Sequence, residues 1–142
     1  KRKPYTTRLF TQFDKLRLCL HKFEPCTTFE SFSYPHPWPG AFLILHGRYI
    51  QHIGYSEDLQ SEPNFIYSEI LSSGSSYEIT DPHVWHKVIP LTDVYTIMLN
   101  GSPWESHINT RTIKGKDLDK LTENEMYNYL NKFSFLLDQR NI

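Results

Sequence analysis

The chain has 142 residues, of which 39% are hydrophobic and 15% aromatic, and a formal charge of −1. That suffices for one packed domain over residues 1–142, because each Phe, Tyr or Trp buries a large area. The near-zero charge argues against a broad electropositive footprint for nucleic acid or anionic lipid, and no apolar run is long enough to span a bilayer.

The Lys1-Arg2-Lys3 cluster reads as a solvated terminus. Leu16, Leu18 and Leu20 then alternate with Arg17, Cys19 and His21, the pattern of a strand with one buried face that ends before Glu24-Pro25. Cys19 and Cys26 are the only cysteines, which excludes a secreted disulfide scaffold and points to a reducing, cytoplasmic setting. Neither has a local feature that would activate it as a nucleophile.

Next comes Tyr34-Pro35-His36-Pro37-Trp38-Pro39-Gly40. Its three prolines fix their own φ and bias the preceding residues towards extended backbone, so His36 is presented with little conformational freedom. Such stiffness suits a preorganised ligand. An apolar ribbon over residues 41–55 follows, interrupted at Gly47 and Gly54, and strands are expected at residues 65–71, 77–79, 84–89 and 94–99. Turns fall at Ser72-Ser73-Gly74-Ser75-Ser76 and Asp81-Pro82. Many short strands at regular spacing indicate a sandwich or barrel. His86 shares a strand face with Val84 and Val88, where an imidazole needs a partner.

Residues 110–120 are polar, contain Gly115 and read as a connector. Thr122-Glu123-Asn124-Glu125 is a capping-box signature and predicts a helix over residues 123–139. Met126, Leu130, Phe133 and Leu137 form its apolar stripe, flanked by Tyr127 and Phe135, for docking on the strands.

The order of these segments resembles the cupin superfamily over roughly residues 16–101. A cupin's first motif carries two histidines flanking one residue, then a glutamate and a closing glycine. Here His36 matches the second histidine and Gly47 the closing glycine, while Tyr34 and Gly40 stand at the first histidine and the glutamate. The second motif matches at Gly74, around Pro82, and at His86, its metal-ligand position. Within the superfamily, the His-Pro-Trp context and residues 95–103 look most like cysteine-dioxygenase-type cupins.

The resemblance implies a mainly β protein, a single jelly-roll barrel with a C-terminal helix over about residues 122–139. It further implies Fe(II) or another divalent metal, held by His36 and His86 with His83, Tyr34 or water as third ligand, and oxidation of a small molecule such as a thiol. His83 lies at an odd offset from His86 and would need a bulge to share its face. Tyr95 or Tyr49 would orient the substrate. A homodimer is the default assembly for such barrels.

Two other functions compete. The replacements at positions 34 and 40 fit a barrel that binds a small ligand or a protein without metal. An epimerase or isomerase would instead use an acid–base pair such as His36 with Tyr95. Each histidine also has an ordinary role open to it: His36 donating to a backbone carbonyl, His86 satisfied in the core, His46, His52 and His83 structural, and His21 and His107 peripheral. Trp38, Trp85, Trp104, Tyr49 and Tyr95 are the aromatic residues placed to line a pocket.

Overall fold

The computed structural model describes residues 6–31, 33–105 and 119–140. Among these residues nine strands form two antiparallel sheets, and one helix follows. The larger sheet has the order β1 (Thr6–Phe13), β2 (Leu16–Phe23), β9 (Val94–Asn100), β4 (Gly40–His46), β7 (Ser76–Ile79). The smaller has the order β3 (Tyr34–Pro35), β8 (Val84–Pro90), β5 (Arg48–Tyr55), β6 (Phe65–Ser72). From β2 to β9 the chain changes sheet at every step except the β5–β6 hairpin, which is how a jelly roll winds.

The expected strands all form, and one more precedes them. β1 pairs with β2 in unbroken register from Thr6↔Phe23 to Phe13↔Leu16, so the sheet begins before residue 16. Its turn is Asp14-Lys15, with Asp14 at φ 54°. That pair lacks the glycine that usually announces a two-residue hairpin.

The space between the sheets is filled by Cys19, Phe42, Ile79 and Met98 at one end and Ile44, Tyr49, Leu71 and Val94 at the other. On β2 the inward face is therefore Cys19 and His21, both buried, and not the leucines. Leu20 packs on the opposite face with Leu43, Leu45, Tyr95 and Ile97, beneath the helix. Both faces of the larger sheet are covered, which explains the unbroken apolar run of β4.

The helix, α1 (Glu123–Asp138), starts at the expected box: the Glu125 amide donates to Thr122 Oγ1 at 3.3 Å, and the Thr122 amide donates to Glu125 Oε2 at 2.8 Å. It docks through Tyr129, Phe133, Leu136 and Leu137. Met126 and Leu130, expected in the stripe, are exposed. The reason lies at the C-terminal end, where Arg140 donates to the carbonyl of Ile44 at 2.6 Å and to Ser73 Oγ at 3.1 Å. That clamp fixes the helix by its second half and sets its rotation. Thr122→Ala is expected to cost about 1 kcal/mol through the lost cap. Urea unfolding should show this as a lower midpoint at unchanged slope.

Candidate functional site

The stiff proline loop is fastened to the end of β9. The Gly101 amide donates to the carbonyl of Pro39 and the Trp104 amide to that of Pro37, both at 3.0 Å. Before the loop, β3 pairs Tyr34 with His86 on β8. Opposed residues of an antiparallel pair share a face, so Tyr34 and His86 both point between the sheets. His36 follows and turns into the same space.

Three rings consequently meet in the interior. The centroids of His36 and His86 are 5.5 Å apart, those of Tyr34 and His86 4.9 Å, and those of Tyr34 and His36 6.2 Å. Phe42 closes one side, 5.3 Å from His36 and 6.1 Å from His86. Both imidazoles are buried, His36 at 3% exposure and His86 at 2%.

The two histidines differ in their partners. His36 Nδ1 lies 2.6 Å from the carbonyl oxygen of Trp38, so Nδ1 carries a proton and donates it. A backbone carbonyl behind one ring nitrogen is the arrangement that orients metal-binding histidines. His86 has no hydrogen-bond partner at either nitrogen. An unsatisfied buried polar group costs about 1–3 kcal/mol, so this is a position where a ligand gains affinity.

Burial, and secondarily the charge of His36, pushes the pKa of His86 down to about 3. His86 is therefore neutral at physiological pH, the form that ligates metals. His21 behaves alike: burial first, then the charges of Arg8 and His36, lower it to about 3. The sequence placed His21 at the periphery; the structure puts it inside, opposite Thr96. Its parity with Cys19 is the signal that would have found it, once the leucine face is reserved for α1.

The remaining candidates separate. His83 lies outside the ring cluster, with Nδ1 3.3 Å from Asp81 and its ring 5.8 Å from Tyr55. Tyr95 is on the outer face, edge-on to Phe133 beneath α1, so it does not meet His36 as an acid–base pair would require. Tyr49 is inside, and its hydroxyl donates to Tyr77 at 3.1 Å. Burial raises the pKa of both phenols, and nearby Tyr34 adds to the effect. Tyr77 stacks on Phe42 with centroids 4.5 Å apart. His107 and most of the 110–120 connector lie outside the described residues.

How well does this set suit a metal? With metal–nitrogen bonds of about 2.1 Å, two imidazoles on one ion have centroids roughly 4.5–6 Å apart, a range that includes His36 and His86. Among the described residues, however, no three His, Cys, Asp or Glu side chains form a group that could hold an ion. Position 40, where a cupin's glutamate would stand, is crowded: a Cβ on Gly40 would lie 2.9 Å from Asn100 Oδ1 and 3.2 Å from the Phe42 ring, so a side chain there must displace one of them. The residues thus fit two of an ion's positions, with the Tyr34 ring beside them. Among the described residues no helix is long and apolar enough to cross a membrane.

No family model and no curated protein matches the sequence. Solved structures do match. HppE in its iron(II) form superimposes with a TM-score of 0.53 at 15% identity, covering 68% of this chain and 50% of that one. The hydroxypropylphosphonic acid epoxidase from S. wedmorenis gives 0.53 at 15% identity over the same shares, 68% and 50%. A cupin superfamily protein from Desulfitobacterium hafniense gives 0.51 at 14% identity, covering 72% and 82%. The chain spans about half the length of the first two. At such identities the likeness establishes architecture alone, and the chain is a cupin-like jelly roll with a helix packed on its outer face.

Proposed function

We propose that this barrel is a metal-dependent oxidoreductase of the cupin type, with His36 and His86 as the protein ligands of a divalent ion and Tyr34 beside them. The observation that carries the reading is His86, buried with two unpartnered nitrogens next to a histidine already oriented by a carbonyl. Neighbours of the same fold are named in iron(II) and cobalt(II) forms, which makes iron the first ion to assay. When bound, such an ion supplies Lewis acidity and a redox couple for oxidising a small molecule such as a thiol.

The chain's own residues do the rest. The Trp38 carbonyl keeps the proton of His36 on Nδ1. Burial keeps His86 neutral, and Phe42 with Tyr34 walls the cluster from water. Tyr49 holds its phenolic proton and donates it to Tyr77, so towards a substrate it is not a base and orients only through that pair. The setting in this reading is cytoplasmic.

Elemental analysis of purified protein tests it, with His36→Ala and His86→Ala alongside. Near-stoichiometric metal in the parent and loss in both folded variants is expected; content unchanged by both substitutions rejects the site. That no third His, Cys, Asp or Glu ligand joins the two histidines among the described residues favours a second reading, a metal-free module that binds a small molecule. Chelator separates the two, because an ion bound only to the native state must stabilise it. A melting temperature that falls on chelation counts against the metal-free module.

A further inference from the structure

Gln51 on β5 is buried, at 1% exposure, and its Oε1 has no hydrogen-bond partner. It shares a strand face with Tyr49, a core residue, so its side chain points between the sheets. In the β5–β8 pair, Gln51 stands opposite Val88, and His86 stands opposite Ile53, two residues along the same face. Gln51 and His86 are therefore diagonal neighbours with Cβ atoms roughly 7 Å apart, a gap that two long side chains span. On the other side Glu69 faces Gln51 from β6, with its carboxylate engaged by the Tyr67 hydroxyl at 2.9 Å.

Two diagonal neighbours are thus both orphaned. A proton on His86 donated to the Gln51 oxygen would satisfy each of them, and the structure does not make that bond. A cation satisfies both at once, because the neutral imidazole and the amide oxygen each offer a lone pair. An oxygen donor is also what the histidine pair lacks. Position 40, where a cupin's glutamate would stand, holds a glycine hemmed in by Asn100 and Phe42. The inward face of β5 offers an oxygen in its place.

We propose that Gln51 Oε1 is the third protein donor to the ion held by His36 and His86, an inference that rests on the metal reading above. Two imidazoles and one oxygen make the facial donor set of non-haem iron sites, here with an amide where a carboxylate is usual. The amide brings no charge. A carboxylate at position 51 would therefore attract the ion more strongly than the native side chain does.

The test loads chelator-treated full chain with cobalt(II), whose visible bands report its coordination, and measures affinity by titration. Gln51→Leu should weaken binding roughly tenfold or more and change the bands. Gln51→Glu, which keeps an oxygen and adds a charge, should bind at least as tightly as the parent. Gln51→Met keeps the length of the side chain but ends in a soft thioether ill-suited to cobalt(II), and it repeats the measurement if the leucine variant does not fold. Suppose the leucine or methionine variant keeps the parent's bands and an affinity within about twofold, while His36→Ala and His86→Ala abolish binding. That result overturns the third donor and leaves the two-histidine site standing. Weaker binding by Gln51→Glu than by Gln51→Leu overturns it too. A parent that takes up no cobalt(II) rejects the site and its third donor together.

Discussion

Chelator-treated protein is expected to lose stability steadily as pH falls from 6.5 towards about 4, and replacing His21 and His86 together by Leu is expected to flatten that slope. Both imidazoles have folded-state pKa values of about 3 against an ordinary 6.5, with burial as the leading cause. The sign follows from which state binds the proton. Below pH 6.5 the unfolded chain protonates both rings while the folded chain keeps them neutral, so each unit of pH favours unfolding. The loss stops near pH 3, where the folded rings protonate as well.

One fully resolved site changes stability by about 1.36 kcal/mol per pH unit, so each histidine accounts for roughly 2–3 kcal/mol at about pH 4.5. Two such sites are a large share of the usual 5–15 kcal/mol. Carboxylates titrate over the same range in parent and variant, so their contribution cancels in the difference. Urea midpoints measured across the range decide the matter. Parallel curves for the parent and the His21→Leu/His86→Leu protein would show that buried imidazoles do not govern acid stability. At neutral pH the His86 substitution should cost little beyond packing, since its nitrogens have no partner to lose.

Strand positions were legible because period-two alternation and turn residues survive in each segment, from Leu16 onward to Leu99. Faces were less legible. On β2 the leucines read as the buried face, yet an outer helix was there to cover them, and the inward face carries Cys19 and His21. The helix itself was legible from its capping box, but its rotation was not, because Arg140 clamps it from outside the apolar pattern. β1 was missed because Phe10 and Phe13 are exposed and its turn has no glycine.

The site divides along the same line. His36 and His86 were singled out by loop stiffness and strand position and Tyr34 by the cupin resemblance, and the structure brings the three rings together. His83 lies in the turn before β8 and Tyr95 on the helix-facing side of β9, so neither meets the ring cluster. Pairing distant along the chain, such as β3 with β8, decides which side chains converge, and no local window of sequence contains it.

Gly47→Ala is expected to cost more than about 3 kcal/mol, and well over the cost of Gly74→Ala. Both glycines have positive φ, +85° and +98°. A side chain at either therefore meets the left-handed penalty of about 1–2 kcal/mol. Their surroundings differ. A Cβ at Gly74 would find nothing nearer than Arg140 Nη2 at 3.9 Å, whereas one at Gly47 would lie 2.2 Å from the Asp93 carbonyl oxygen and 2.9 Å from Thr92 Oγ1. The oxygen at 2.2 Å is backbone in the β8–β9 turn and cannot swing aside. That turn is held by the Arg48 amide donating to Thr92 Oγ1 at 3.1 Å and the Leu91 amide donating to the Arg48 carbonyl at 3.0 Å. Relief of the clash must move the corner where the chain leaves the larger sheet for the smaller, and repacking of that kind adds about 1–3 kcal/mol. Urea unfolding of the two variants isolates the close approach as the difference between them; equal costs within about 0.5 kcal/mol would mean it carries no weight. Gly47 also lies at the far end of β4 from Gly40 and the histidine loop. Any metal bound by His36 and His86 should accordingly persist in the folded Gly47→Ala protein, because Gly47 turns the chain at the opposite end of β4 from the histidine loop.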